Sequence, residues 1–337
     1  MANAPEGTGG IVNVGFTCYA NSTIQALRHY KNVENLLQED TYTTILKKDF
    51  KYNELTKQFA NMIQTLSKIS KNSSVRPGGF WSEFDKASHD TGFEHLASRQ
   101  PHDAHEFLMF ILDALHESLC RKVTMNITQM ELRTEKQKLQ QKSLEVWKNQ
   151  FEKMYSPLVN ILFGIYHIQV ICTKCNNVSN NFDTFNMLKA SFTDDEKPNL
   201  LECLLNEMSD ETIEGYQCDN CKEKTVAKKK QRIWKLPTNL IIVLKRFTYD
   251  GRKITKSIQP ILESVDLKQI YSDISPNNKN SEFRLISIVD HHGSINGGHY
   301  TAQAFNKSEK KWFLYDDQNV HILDNHHIGQ STYILFF

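Results

Sequence analysis

Cys18 opens the run "CYANSTIQAL", which has no proline or glycine and carries apolar residues at helical intervals. A helix starting at or just before Cys18 would turn its unpaired backbone N–H groups and the positive end of its dipole toward the thiol, and both favour thiolate. A thiolate nucleophile needs a base, and the base needs an acceptor that orients it. Near the other end of the chain, "DHHGSINGGHYTAQAF" offers His299 behind Gly297 and Gly298, and "WFLYDDQNV" offers Asp316 and Asp317. Two antiparallel strands joined around Lys307 would bring His299 beside Asp316. His291 and His292 are weaker alternatives to His299. A lone free cysteine is usually an inert buried residue, so Cys18, His299 and the aspartates are read as a set.

Four of the seven cysteines form two CxxC pairs, "CTKC" at Cys172 and Cys175 and "CDNC" at Cys218 and Cys221. Two such knuckles suit one tetrahedral zinc site with four thiolates, closed to substrate and therefore structural. Cys120 and Cys203 have no evident role. The lysine run at 228–230 is a solvated loop or strand face that could meet an acidic partner.

Positioning these residues requires two kinds of element. From Asn21 to about Ser70 the chain reads as helices, with Leu55, Phe59, Met62, Ile63 and Leu66 in helical register. The segment "SSVRPGGFWSEF" interrupts that pattern. A further helix begins near His102, with Pro101 and Asp103 suiting its start and Phe107, Leu108, Ile111, Leu112 and Leu115 on one face. Residues 123–154 predict a peripheral amphipathic helix built on Leu144, Trp147, Phe151 and Met154. After Ser156 strand-like runs dominate: "YHIQVIC", "NLIIVLKRF", "FRLISIVD", "YTAQAF", "WFLYDD" and "TYILFF".

The bulk composition limits the function classes. Forty basic residues against 39 acidic ones leave no excess for general binding to nucleic acid or an acidic membrane. No apolar run approaches the roughly 20 residues of a membrane span, and "MANAPEGTGG" lacks the features of a secretory leader. A cytoplasmic or nuclear, reducing location is expected, which favours metal over disulfides at the CxxC pairs.

With these motifs assembled, the chain resembles the ubiquitin-specific proteases. "GIVNVGFTCYANSTIQAL" is similar to their cysteine box, "HDAHEFLMFILDAL" to their Gln-Asp-Ala-His-Glu-Phe helix, and "SPLVNILFGIYHIQVICTKC" with "YQCDNC" to their zinc-ribbon fingers. "LPTNLIIVLKRF", "HHGSINGGHYTAQAF", "WFLYDD" and "TYILFF" continue the match in the family's order, over residues 10–337. The resemblance implies an α+β, papain-like fold forming one catalytic domain over 1–337, with a helical thumb (10–155), zinc-ribbon fingers (156–240) and a β-rich palm (241–337). It implies Cys18 as nucleophile, His299 as base, Asp316 as its orienting acid and Asn13 as oxyanion donor. Asp103, Glu106 and Tyr300 would hold the ubiquitin tail, and Gly297 and Gly298 would let its Gly-Gly segment pass. The implied activity is hydrolysis of the isopeptide bond after ubiquitin's terminal glycine, by a monomer that binds Zn2+ and ubiquitin. Phe16 stands where the family usually has Asn, and Pro101 with His102 where it has Gln-Gln. A silent ubiquitin-binding scaffold and a zinc-ribbon nucleic-acid adaptor are the rival readings.

Overall fold

The computed structural model describes residues 6–89, 91–98, 100–128, 133–279, 281–294 and 297–337. Its centre is a seven-stranded sheet in the order Asn319–Leu323, Lys311–Asp316, Gly297–Asn306, Ser287–Ser294, Thr332–Phe336, Ile241–Leu244, Leu188–Ala190. The pairs are antiparallel except the last, which is parallel. Its middle strands are covered on both faces. Ile241, Val243, Ile334 and Phe336 pack into the core of the helical lobe, while Ile242, Leu244, Ile288 and Leu335 pack against the other core, which includes the helix Leu200–Glu207. Burial on both sides is why "IIVL" and "YILF" read as unbroken apolar runs without alternation.

The helical lobe is built from Cys18–Leu27, Asn53–Lys68, Gly78–Ala87 and Ala104–Leu119, with shorter helices between. An aromatic cluster of Tyr19, Phe80, Trp81, Phe84 and Phe107 holds it together. The interruption expected at "RPGG" is instead the start of a helix. Pro77 occupies its N-cap. The helix expected over 123–154 is confined to Glu135–Phe151, opened by a capping box between Thr134 and Gln137. Met154 falls beyond its end, and Leu144 is exposed on its surface.

A second, four-stranded sheet runs Val178–Phe185, Gly164–Cys172, Lys224–Lys235, Glu211–Gln217. The lysine run at 228–230 lies on its third strand, where Lys229 and Lys230 reach Glu211 and Asp210. "FRLISIVD" splits between sheets. Glu282–Arg284 pairs with Ser264–Asp266, and Ser287–Ser294 joins the central sheet. Among the described residues no helix is long and apolar enough to cross a membrane.

Candidate functional site

The helix Cys18–Leu27 begins at Cys18, as its sequence suggested, and packs on the strand Gly297–Asn306. Cys18 is 8% exposed. Backbone N–H groups of Tyr300, Tyr19 and Cys18 favour its thiolate, yet burial outweighs them and the Asp317 charge adds to burial, so the thiol is pushed up. The helix end therefore does not produce the net lowering expected from its dipole. In the free protein, desolvation wins over the aligned N–H groups.

His299 follows Gly298 on the strand that pairs with Lys311–Asp316. Its Nε2 lies 2.6 Å from Asp316 Oδ1, which leaves Nδ1 as the ring nitrogen free to exchange a proton. His292 Nε2 instead meets the Thr301 hydroxyl at 3.2 Å. His291 packs against Tyr300 with ring centroids 4.5 Å apart and the rings tilted by 38°, and burial first, then Lys253, holds it down to about 4. Among the described residues, His299 alone of these three bonds a carboxylate.

Asp317 also brings a carboxylate oxygen within 4.8 Å of a His299 ring nitrogen and of an Asp316 oxygen, but its hydrogen bonds go to other groups. It has a left-handed φ of 51°, accepts from Asn13 Nδ2 at 2.9 Å and from Asn21 Nδ2 at 2.7 Å, and its carbonyl takes the Ile11 amide at 2.9 Å. Asn13 is fixed at both ends of its amide, because Oδ1 accepts from the backbone N–H groups of Gly15 and Thr17, each at 3.1 Å. One amide proton is used by Asp317 and one remains. Asn21 carried no separate signal in the sequence beyond being polar inside an amphipathic helix.

Cys18, Asp103, Glu106, Gly297, Gly298 and Tyr300 all line one cleft of about 310 Å3, together with Phe16 and His102. Gly298 is required by packing, since a Cβ there would sit 2.3 Å from both His291 Nε2 and the His292 carbonyl. A Cβ on Gly297 would meet nothing within 4 Å. Asp103 caps the helix Ala104–Leu119 through the His105 amide at 2.7 Å and accepts from the Tyr333 hydroxyl at 2.8 Å, while burial pushes its carboxyl up. Glu106 is about half exposed and pairs with His95 at 3.0 Å. Tyr333 reaches Asp103 from a strand 230 residues on, a pairing that no local signal in the sequence marks, and His95 reaches Glu106 from 11 residues before it. Ile295 and Asn296, just before Gly297, lie outside the described residues.

The four predicted cysteines converge, with all four sulfurs within 4.8 Å of one another. Two closest pairs are 3.6 Å (Cys175 to Cys218) and 4.0 Å (Cys172 to Cys221). Four thiolates around zinc at 2.3 Å bonds stand about 3.8 Å apart, so the set fits that ion. Each pair forms the same knuckle. Asn176 donates to the Cys172 carbonyl and Lys222 to the Cys218 carbonyl, each at 2.9 Å, and both donors adopt left-handed φ, 56° and 60°. The Thr225 hydroxyl, 3.3 Å away, leads the groups that draw the Cys172 thiol down to about 6.

A helical lobe meeting a mixed sheet at a cysteine-bearing helix start, with a cluster of four cysteines on a separate four-stranded extension, defines the α+β class of the ubiquitin-specific proteases. The ubiquitin carboxyl-terminal hydrolase family matches residues 9–337, and the chain belongs to that family. It is 26% identical to ubiquitin carboxyl-terminal hydrolase 2 of Bos taurus over 346 residues, covering 100% of this chain and 56% of the relative. It is 25% identical to a probable ubiquitin carboxyl-terminal hydrolase of Acanthamoeba polyphaga mimivirus, covering 98% of this chain and 90% of that one. The chain thus spans a little over half the length of the Bos taurus relative. The solved SAGA DUB module of Ubp8, Sgf11, Sus1 and Sgf73 bound to monoubiquitin superposes with a TM-score of 0.76 at 24% identity, over 98% of this chain and 69% of that chain, a likeness of fold.

Proposed function

We propose that the chain is a thiol-dependent deubiquitinase that cleaves the isopeptide bond after the C-terminal glycine of ubiquitin. The observation that carries this reading is the 2.6 Å bond between His299 and Asp316, on a strand whose next residue, Tyr300, touches the Cys18 sulfur. Asp316 holds Nε2 and so directs Nδ1 to the thiol. His299 takes the thiol proton, and Cys18 attacks the glycine carbonyl. The remaining Asn13 amide proton and the backbone N–H at the helix start steady the oxyanion, with Asn13 already oriented by Asp317. His299 then passes its proton to the departing lysine amine, leaving a thioester. Water, deprotonated by the same ring, releases ubiquitin.

Glu106, exposed in the cleft, and Asp103 behind it suit an arginine-bearing tail, and Tyr300 with Gly297 and Gly298 suits its narrow Gly-Gly end. Cys172, Cys175, Cys218 and Cys221 would hold one Zn2+, which when bound supplies a fixed cross-link between the two knuckles. We read the protein as a monomer, since one chain supplies the cleft, and as a protein of the cytoplasm or nucleus, where a reducing milieu keeps the four clustered thiols available to metal. Incubation with a panel of di-ubiquitins and ubiquitin-like precursors tests the activity. Cleavage by the protein and none by Cys18→Ala is expected. Ubiquitin binding with no cleavage of any substrate would make it a silent scaffold.

A further inference from the structure

The strand Ser287–Ser294 extends past its neighbour. Thr332–Phe336 pairs with it only as far as Asp290, and the last contact along that edge is the His291 amide with the Ser331 carbonyl at 2.8 Å. A strand residue points its N–H and C=O to the same side, and alternate residues repeat that side. The carbonyls of His291 and Gly293 therefore both face the uncovered edge. Lys253 Nζ donates to them at 2.6 and 3.0 Å. This lysine belongs to a separate turn, where its backbone pairs with Phe247, a residue of the cleft wall whose ring lies 5.5 Å from that of His291.

Within the hairpin the overhanging end is held by its ladder to Gly297–Asn306, by the His292–Thr301 contact and by a Ser294–Gly297 hydrogen bond of 3.3 Å, and past Asp290 no strand pairs with its outer edge among the described residues. His292 is the register partner of His299, and Gly293 of Gly298. Gly293 has φ of 100°, and a Cβ there would lie 2.8 Å from the Gly297 carbonyl. Side chains cannot pack between strands this close, and glycines lose the most conformational freedom on ordering. On the outer edge, order comes from the two Lys253 hydrogen bonds.

We propose that Lys253 is a positioning residue for His299, its ammonium replacing the missing strand and joining the turn around Phe247 to the glycine hairpin. The inference rests on the reading of His299 as the base. Lys253→Met keeps the side-chain stem and removes the donor, and Lys253→Arg restores a donor. Three measurements decide it: amide hydrogen exchange over residues 291–300, kcat and KM on a fluorogenic ubiquitin amide, and the thermal midpoint. Lys253→Met is expected to speed exchange in that segment by about tenfold or more, as loss of charge-assisted hydrogen bonds implies. It should lower kcat by a similar factor with KM little changed, and Lys253→Arg should recover most of both. Exchange and kcat equal to wild type in Lys253→Met would overturn the proposal, as would a fall in kcat that tracks only a lowered thermal midpoint. If the wild-type protein fails to hydrolyse ubiquitin amides, the activity reading falls, and hydrogen exchange still decides whether Lys253 holds the hairpin.

Discussion

His299 Nε2 and Asp316 Oδ1 are 2.6 Å apart, while the adjacent Asp317, with a carboxylate oxygen within 4.8 Å of both, accepts hydrogen bonds from Asn13 and Asn21 instead. The two consecutive carboxylates take different partners because Asp316 ends a strand and Asp317 enters a left-handed turn. Their substitution should have different signatures. Asp316→Asn is expected to cut kcat by about a hundredfold or more, within the range that positioned acid–base groups contribute, with the fold intact. Asp317→Ala removes partners from two amides and should destabilise the protein by about 1–3 kcal/mol. Steady-state kinetics and chemical denaturation of both variants check this.

Phe16 adopts φ of 52° and is 59% exposed beside the cleft. That conformation is costly for a bulky L-residue and tolerated by Asn, whose short polar side chain bonds locally. Phe16→Asn is therefore expected to raise stability by about 1 kcal/mol. A denaturation midpoint unchanged or lowered would show that the ring's contacts outweigh the backbone strain.

Burial first, and then the Asp317 charge, raise the Cys18 thiol above its ordinary value of about 8.5. For a group raised on folding, the stability it contributes is present below the unfolded value and is lost as pH rises through the folded one. The thiolate should likewise appear only above the ordinary thiol range. Alkylation of Cys18 in the free protein, followed by peptide mass spectrometry, should accelerate at higher pH than for a model thiol, and Asp317→Asn should move the profile down. A profile centred below the ordinary thiol value would mean that the helix N–H groups outweigh burial.

Zinc removal should act on the four-stranded sheet before the cleft. About one zinc per chain is expected by elemental analysis, lost in Cys172→Ser or Cys218→Ser. Hydrogen exchange should then rise along Gly164–Cys172 and Lys224–Lys235, with reactivity of Cys18 toward a small alkylating agent kept. A metal-free protein with unchanged exchange in those strands would contradict a structural role.

Much of this was legible in the chain because the informative signals are local. The CxxC pairs fix their own knuckles, and the helix start at Cys18 follows from a periodic run with its end marked. The central strands were visible as continuous apolar stretches because both faces are buried. What could not be read depends on pairing between distant segments. Nothing in "DD" says which carboxylate meets His299, since that is set by the backbone turn at Asp317. Nothing near Lys253 announces His291 and Gly293 as its partners. The polar strands Glu211–Gln217 and Lys224–Lys235 lack apolar alternation because most of their residues are exposed or only partly buried, and Pro77 with two glycines hides a helix start as a break. The direction of the Cys18 shift is not legible in the chain because a helix dipole is apparent in a sequence and desolvation is not.

The most direct test of the central claim is covalent capture. Ubiquitin bearing an electrophile in place of its terminal carboxylate, incubated with the protein and followed by intact mass and peptide mapping, should give one adduct, on Cys18, absent in Cys18→Ala and slowed in Asp316→Asn. No adduct, or an adduct on any other cysteine, would contradict it.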